Sequence, residues 1–331
     1  MTPTPVRLTR DPHMSLLVLH FRHNGRAQWG VVADGAVTPI PGDFDTTARF
    51  LAANPVERLV TLDGPTIPEA DVEWLPPVTA NQQFVCQGAN YRQHMIESGM
   101  DPDAKKFNMI FTKATSCIVA ANSPVVKPRH VRFLDYEIEL GLILKRDITS
   151  RQRITDANLH DYVAAIVIVN DYSARDVQIP QMQFYKGKSF RTFGPVGPYL
   201  CLLEQRDFPK LKALDLTLTV NGTVRQQDST SNLVYGPAET LTELSGVHDL
   251  HAGDLLATGT PAGCALSIPS PLKQRAVALF PESVKWKMFM KVQAGRTQYL
   301  KAGDIVEARI ASRDGTIDLG VQRNEIMDEA A

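Results

Sequence analysis

The sequence predicts a β-rich α+β protein, with a small N-terminal β unit ahead of a larger, sheet-dominated domain. Three observations carry this. Short runs of β-branched and aromatic residues alternate with Gly, Asn and Asp turn signals along most of the chain. Helical spacing is confined to a few short stretches. The strand–helix–strand alternation of a parallel α/β fold is missing, and so are the G-x-G-x-x-G and P-loop motifs of nucleotide cofactor sites.

Each element has a local reason. Ser15 to Phe21 is rich in β-formers, and Asn24-Gly25 and Asp34-Gly35 are hairpin signals on either side of Trp29 to Val32. From Thr47 to Val60, the residues Phe50, Leu51, Val56, Leu59 and Val60 have helical spacing, but Pro55 divides the stretch into two short pieces. Trp74-Leu75-Pro76-Pro77-Val78 is a stiff, extended connector and sets a boundary near Thr79. Residues 1–79 then form the small β-rich domain and 80–331 the main domain. A helix is expected over about Tyr91 to Ser98, ended by Gly99, and another over about Thr155 to Tyr162. Tyr136 to Leu144 and Val163 to Val169 read as strands. Hairpins are expected at Asn221-Gly222 and at Asp314-Gly315.

Composition narrows the function. The 331 residues carry 35 Lys plus Arg against 36 Asp plus Glu, so the net charge of -1 argues against gripping nucleic acid. With 44% hydrophobic and 21% charged residues, the chain is globular and not disordered. No apolar signal segment follows Met1, and the longest clean apolar run, Val163 to Val169, is far short of the ~20 residues of a membrane helix. Cys86, Cys117, Cys201 and Cys264 stand far apart, without a C-x-x-C. The expectation is a cytoplasmic protein with reduced thiols, not a disulfide framework or a cysteine zinc site.

The chemistry is concentrated in five places. In Asp135-Tyr136-Glu137-Ile138-Glu139, strand alternation projects Glu137 and Glu139 together, opposite Ile138, Leu140 and Leu142. Two adjacent half-buried carboxylates repel unless a cation lies between them, and a hard divalent ion with oxygen ligands meets that need. Two solvated glutamates on an exposed face would read the same. Asp171, delivered at the end of the buried Val163–Val169 strand, supplies a third carboxylate, or else caps a helix. In Tyr185-Lys186-Gly187-Lys188-Ser189, a dense Gly/Pro context predicts a loop that holds Lys188 near a developing oxyanion, or simply presents it to solvent. Thr258-Gly259-Thr260-Pro261-Ala262-Gly263 is a tight loop whose hydroxyls and amides suit a carboxylate, or a plain turn. His94 and Glu97 are i and i+3 on one helical face, either a general base with its orienting acid or a surface pair.

In chain order these five pieces resemble the fumarylacetoacetate hydrolase family, over about Gln83 to the end. Asn90-Tyr91-x-x-His94-x-x-Glu97, Glu137-x-Glu139, the run from Asn170 through Asp171 and Arg175 to Gln178, Gly187-Lys188-Ser189 and Thr258 to Gly263 carry the likeness. The resemblance implies a mixed β-sheet roll or sandwich, a homodimer, and Mg²⁺, Mn²⁺ or Ca²⁺ on Glu137, Glu139 and Asp171. It further implies catalysis by His94, Glu97 and Lys188, and substrate contacts from Tyr91, Lys113, Arg175, Gln178 and Thr260. The substrate class implied is a small 2-oxo or 1,3-dioxo acid, cleaved at a C–C bond, as in the catabolism of aromatic compounds. A 2-oxo diacid decarboxylase, a 2-hydroxydienoate isomerase and an inactive metal-dependent binding protein are the alternatives. Two departures stand out. Ala114 occupies a usual proline position beside Lys113, and Ser267 to Tyr299 reads as an insert with a helix near Val284 to Met290. That insert is either an extra packing element or a lid or dimer contact.

Overall fold

The computed structural model describes residues 14–267 and 280–330. The chain opens with β1 (Leu16–His23), β2 (Arg26–Ala33) and β3 (Ala36–Pro39), joined by turns in which Asn24, Gly25, Asp34 and Gly35 all have positive φ. Next come α1 (Thr47–Ala53), α2 (Val56–Leu59) and the short β4 (Ile67–Pro68) and β5 (Glu73–Trp74). Pro55 separates the two helices, as its missing N–H and fixed φ dictate. The middle of the chain carries β6 (Phe84–Gly88), α3 (Arg92–Glu97), β7 (Met109–Thr112), β8 (Ile118–Ala120), β9 (Val125–Lys127), β10 (Leu134–Asp135), β11 (Ile138–Leu144) and β12 (Val163–Asn170). Then follow β13 (Ser173–Ala174), α4 (Arg175–Gln181), α5 (Phe184–Lys188), β14 (Gly194–Val196) and β15 (Tyr199–Leu202). The last third holds β16 (Leu214–Val220), β17 (Thr223–Ser229), α6 (Pro237–Leu244), β18 (Leu255–Ala257), α7 (Glu282–Ala294), β19 (Ile305–Ser312) and β20 (Asp318–Asp328).

The architecture is the sheet-rich α+β one that the sequence predicts. The main sheet runs β4-β3-β2-β1-β15-β12-β11-β18-β6-β7, with both parallel and antiparallel neighbours. A second sheet, β17-β16-β19-β20-β9, lies against it. Between them, Leu140, Leu142, Ile166 and Ile168 meet Leu216, Leu218, Val306 and Ile310 in one apolar core. On the opposite face, Ile143, Val167 and Val169 share a second core with Phe50, Leu59 and Trp29. β11 and β12 are therefore buried on both faces, which is why their sequences are almost unbroken hydrophobic runs. β1 pairs directly with β15, so the N-terminal strands extend the same sheet.

Two local expectations are corrected. The Thr155–Tyr162 stretch forms only a 3₁₀ turn at Leu159–Asp161. The Asn158 amide oxygen accepts from the Thr155 backbone N–H at 2.7 Å and its amide nitrogen donates to the Arg153 carbonyl, so a side chain competes for the groups a helix would use. The segment before Ser189 is helical up to Lys188 instead of a loop. Gly187 makes this possible, because a Cβ there would lie 2.7 Å from the Gln178 Cβ and 2.9 Å from its backbone nitrogen; only glycine lets α5 pack this closely on α4. The helix expected at Val284–Met290 is present within α7, while Pro271 to Ala278 lies outside the described residues. No helix of the described residues is long and apolar enough to cross a membrane.

Candidate active site

The pairing of β11 with β12 builds the centre. Ile138 stands opposite Asn170 and Glu139 opposite Val169, so Asp171 emerges beside Glu137 and its backbone N–H donates to the Glu137 carbonyl at 2.8 Å. The Asn170 side-chain oxygen accepts from the Glu137 N–H at 2.9 Å and fixes the turn into the strand. Carboxylate oxygens of Glu137, Glu139 and Asp171 thus lie within 4.8 Å of one another, all three buried. Burial excludes the solvated-glutamate reading. Asp171 is not a helix cap, since α4 begins at Arg175 with no side-chain cap.

Around this trio the charges interlock. Lys188 donates to Glu137 Oε2 at 2.6 Å, Asp171 Oδ2 at 2.5 Å and Ser173 Oγ at 2.8 Å. Lys113 donates to Asp171 Oδ1 at 2.5 Å and to the Phe193 carbonyl at 2.8 Å. Arg175 donates through Nε to Asp135 at 2.8 Å, through Nη1 to Gln178 at 2.8 Å and through Nη2 to Glu137. Burial alone would raise Glu137, but Arg175 and Lys188 bring it down to about 2. Glu139 is the exception. It accepts the Gly259 N–H at 2.9 Å and pairs with no lysine or arginine among the described residues. Burial, then Asp171 and Glu137, hold its carboxyl well above the usual range. Four buried carboxylates (Asp135, Glu137, Glu139, Asp171) therefore meet three buried cations (Lys113, Arg175, Lys188). An all-oxygen donor set with one negative charge in excess fits a hard divalent cation.

A prediction follows from Glu139. A carboxyl raised above its usual range keeps its proton to higher pH, and a cation has to displace that proton. Mg²⁺ binding is expected to release protons and to weaken as the pH falls through the Glu139 titration. Calorimetry in buffers of different ionisation heat measures the release; none at all would contradict the assignment of Glu139 as a ligand.

Two of the trio, Glu137 and Glu139, line a cavity of about 830 Å³ whose wall also includes Arg175, Gln178, Lys188 and Thr260, with His94 and Glu97 on it too. Phe111 and Phe184, edge-to-face at 5.0 Å, close the side above Lys188. The Thr260 hydroxyl oxygen accepts from the Gln226 amide at 2.8 Å, which leaves its O–H to donate into the cavity.

A model of the fumarylacetoacetate (FAA) hydrolase C-terminal domain matches residues 83–327. The chain belongs to the fumarylacetoacetate hydrolase family. A separate model, for the Rv2993c-like N-terminal domain, matches residues 18–77. An oxaloacetate tautomerase of Bacillus subtilis is 35% identical over 192 residues, 58% of this chain and 62% of that protein. The fumarylacetoacetate hydrolase of the psychrophile Exiguobacterium antarcticum superposes with a TM-score of 0.73 at 27% identity, covering 95% of this chain and 100% of that one. A 2-hydroxyhepta-2,4-diene-1,7-dioate isomerase from Mycobacterium marinum shares the fold, with a TM-score of 0.68 at 23% identity over 96% and 100% of the two chains.

This fumarylacetoacetate hydrolase family member places its expected site residues unevenly. His94, Glu97, Glu137, Glu139, Arg175, Gln178, Lys188 and Thr260 share the cavity wall. Asp171 and Lys113 sit just behind it, fully buried. Tyr91 is buried in the core and is not on the wall; its hydroxyl has no hydrogen-bond partner among the described residues. Arg175 and Gln178 hold each other, and Arg175 holds two carboxylates, so both position Glu137 in this structure. Glu97 is expected to orient His94, but among the described residues no hydrogen bond joins the two. Glu97 is exposed at the end of α3 and accepts from Gln93 at 3.5 Å, while His94 Nδ1 has no partner among the described residues. Same-face spacing brings two side chains near each other without fixing their rotamers.

Sequence reasoning missed four contributors. Asp135 anchors Arg175 and accepts the Ala265 and Leu266 N–H groups at 2.7 and 2.9 Å. It stands two residues before Glu137, so strand alternation could have included it. Asn170 sits inside the quoted motif but received no role there. Gln226 ties Thr260 to the Ile138 N–H from a remote hairpin, and Cys264 lines the cavity with its thiol raised by burial and by Asp135; neither has a local signal.

Proposed function

We propose that this protein is a divalent-metal-dependent hydrolase that cleaves a C–C bond in a 1,3-dioxo, acylpyruvate-like acid. The observation that carries the reading is the buried trio of Glu137, Glu139 and Asp171, the first two on a cavity wall, with the Lys188 ammonium bonded to Glu137 and Asp171. Family membership and the likeness to a fumarylacetoacetate hydrolase support it. Mg²⁺, Mn²⁺ or Ca²⁺ held by the three carboxylates would supply Lewis-acid polarisation of the dioxo group.

The chain's own groups divide the remaining work. Burial tends to lower Lys188, but Asp171 and Glu137 raise it, so it stays a fixed positive charge beside the oxygen that becomes anionic when the bond breaks. The Thr260 O–H suits the substrate carboxylate. His94 is lowered below 6.5, chiefly by burial, so its imidazole is neutral at pH 7 and can take a proton from water. The acid limb of kcat/KM is accordingly expected below pH 6.5, activity being lost as the pH falls and His94 gains its proton. A pH–rate profile checks this, and an unchanged limb in His94→Asn would reassign the base.

Acylpyruvates incubated with the protein and Mg²⁺ should yield two acids, and thorough EDTA treatment should end turnover. Unchanged rates after chelation would sink the metal's role. A second reading, a proton shift within a 2-oxo diacid, is favoured by the 35% identity to the oxaloacetate tautomerase. Its product has the mass of the substrate, which mass spectrometry separates from cleavage.

A further inference from the structure

Two further cations line the cavity, and the chemistry above uses neither. Arg225 is the third residue of β17, and Arg296 follows α7 in the segment read as an insert. Both stand against one loop, Arg225 through its backbone at Gly263 and Arg296 through its side chain at Ala265. Both lie close enough to the Tyr136 phenol, itself on the wall, to oppose the upward shift that burial and Asp135 impose on it. Tyr136 donates to the Gly263 carbonyl at 3.2 Å, and the Arg225 carbonyl is so near Gly263 that a Cβ there would lie 2.1 Å from it.

Their charge is unspent. Among the described residues neither arginine forms an ion pair. Arg296 Nε donates to the Ala265 carbonyl at 2.5 Å, and Arg225 Nε is buried with no partner. Arg175 and Lys188, on the same wall, are by contrast each paired with two buried carboxylates. A buried guanidinium N–H without an acceptor costs free energy that an incoming carboxylate would recover, and the planar fork of arginine matches a carboxylate's two oxygens. Leu266 and Ile179, also on the wall, offer apolar surface for a methylene chain.

We propose that Arg225 and Arg296 form a subsite for a second, distal carboxylate, so that the preferred substrate is an oxo diacid and Arg296, just past α7, helps select it. This rests on the reading of the cavity as an oxo-acid site. The two claims separate in a binding experiment that requires no turnover. The probes are 2-oxoglutarate and 2-oxoadipate, each set against the monoacid of equal chain length, 2-oxopentanoate and 2-oxohexanoate. Titration calorimetry with saturating Mg²⁺ is run on the wild type, Arg225→Gln and Arg296→Gln.

At least one diacid is expected to bind the wild type about 10-fold or more tighter than its monoacid, and each variant to lose most of that advantage while binding the monoacid as before. Equal affinity of both diacids and their monoacids for the wild type overturns the subsite and leaves the oxo-acid site standing. Binding of no probe overturns both. Variants that weaken diacid and monoacid alike overturn the subsite in favour of a structural role. Because the two arginines sit on separate elements, a folding defect in one variant leaves the other to decide.

Discussion

Asp171→Asn is expected to abolish Mg²⁺ binding and to lower acylpyruvate turnover by at least about 10²–10³-fold. The reasoning starts from what Asp171 touches. Its two oxygens accept from Lys113 and Lys188, both buried, and its backbone is held by the strand pairing and is unaffected by the change. An amide removes one of three ligand charges and leaves Lys113 with no carboxylate partner among the described residues. Stranding a buried ammonium costs on the order of 3 kcal/mol of stability. Thermal unfolding with and without Mg²⁺ measures both losses. The variant should melt lower than the wild type and gain nothing from the cation. Wild-type Mg²⁺ affinity in this variant would remove Asp171 from the ligand set.

Lys188→Met separates the charge from the cation site. Turnover should again fall by about 10²–10³-fold, because the positive charge beside the developing oxyanion is gone. Stability should respond differently. Without Lys188, the carboxylates of Glu137, Glu139 and Asp171 keep their mutual repulsion and lose the ammonium that bridges two of them. The metal-free variant is therefore expected to melt well below the wild type, and Mg²⁺ should raise its melting temperature more than it raises that of the wild type. Recovery of stability without recovery of turnover is the signature. A Lys188→Met protein that cleaves substrate at the wild-type rate would place the oxyanion elsewhere.

The parts of the fold and site visible in the sequence are those governed by local periodicity. Alternation in Tyr136 to Leu144 separates Glu137 and Glu139 from Ile138, Leu140 and Leu142, and the structure buries both sets on opposite faces. Turn chemistry at Asn24-Gly25 and Asn221-Gly222 is equally local, and positive φ appears at all four residues. Where a side chain outcompetes the backbone, as at Asn158, helical spacing misleads. Where two helices touch, as at Gly187 against Gln178, a glycine that reads as a loop signal is a packing requirement. Arg225 and Arg296 reach the cavity, and Gln226 reaches Thr260, only through contacts between distant segments, such as Arg296 with the Ala265 carbonyl, and no window of sequence around them holds that information.

The register of β11 on β12 has a consequence for assembly as well as for chemistry. Side chains alternate across a strand, so a slip of one residue would turn Leu140 toward the cavity and drive Glu139 into the hydrocarbon layer between the sheets. The cost is a carboxyl group set in hydrocarbon and stripped of the Gly259 N–H that it accepts at 2.9 Å in the native register. The acids of the candidate site thus also act as a gauge during folding. A sheet assembled out of step is penalised by the same side chains that form the candidate site, and molecules that pass the gauge have the three buried carboxylates already in place.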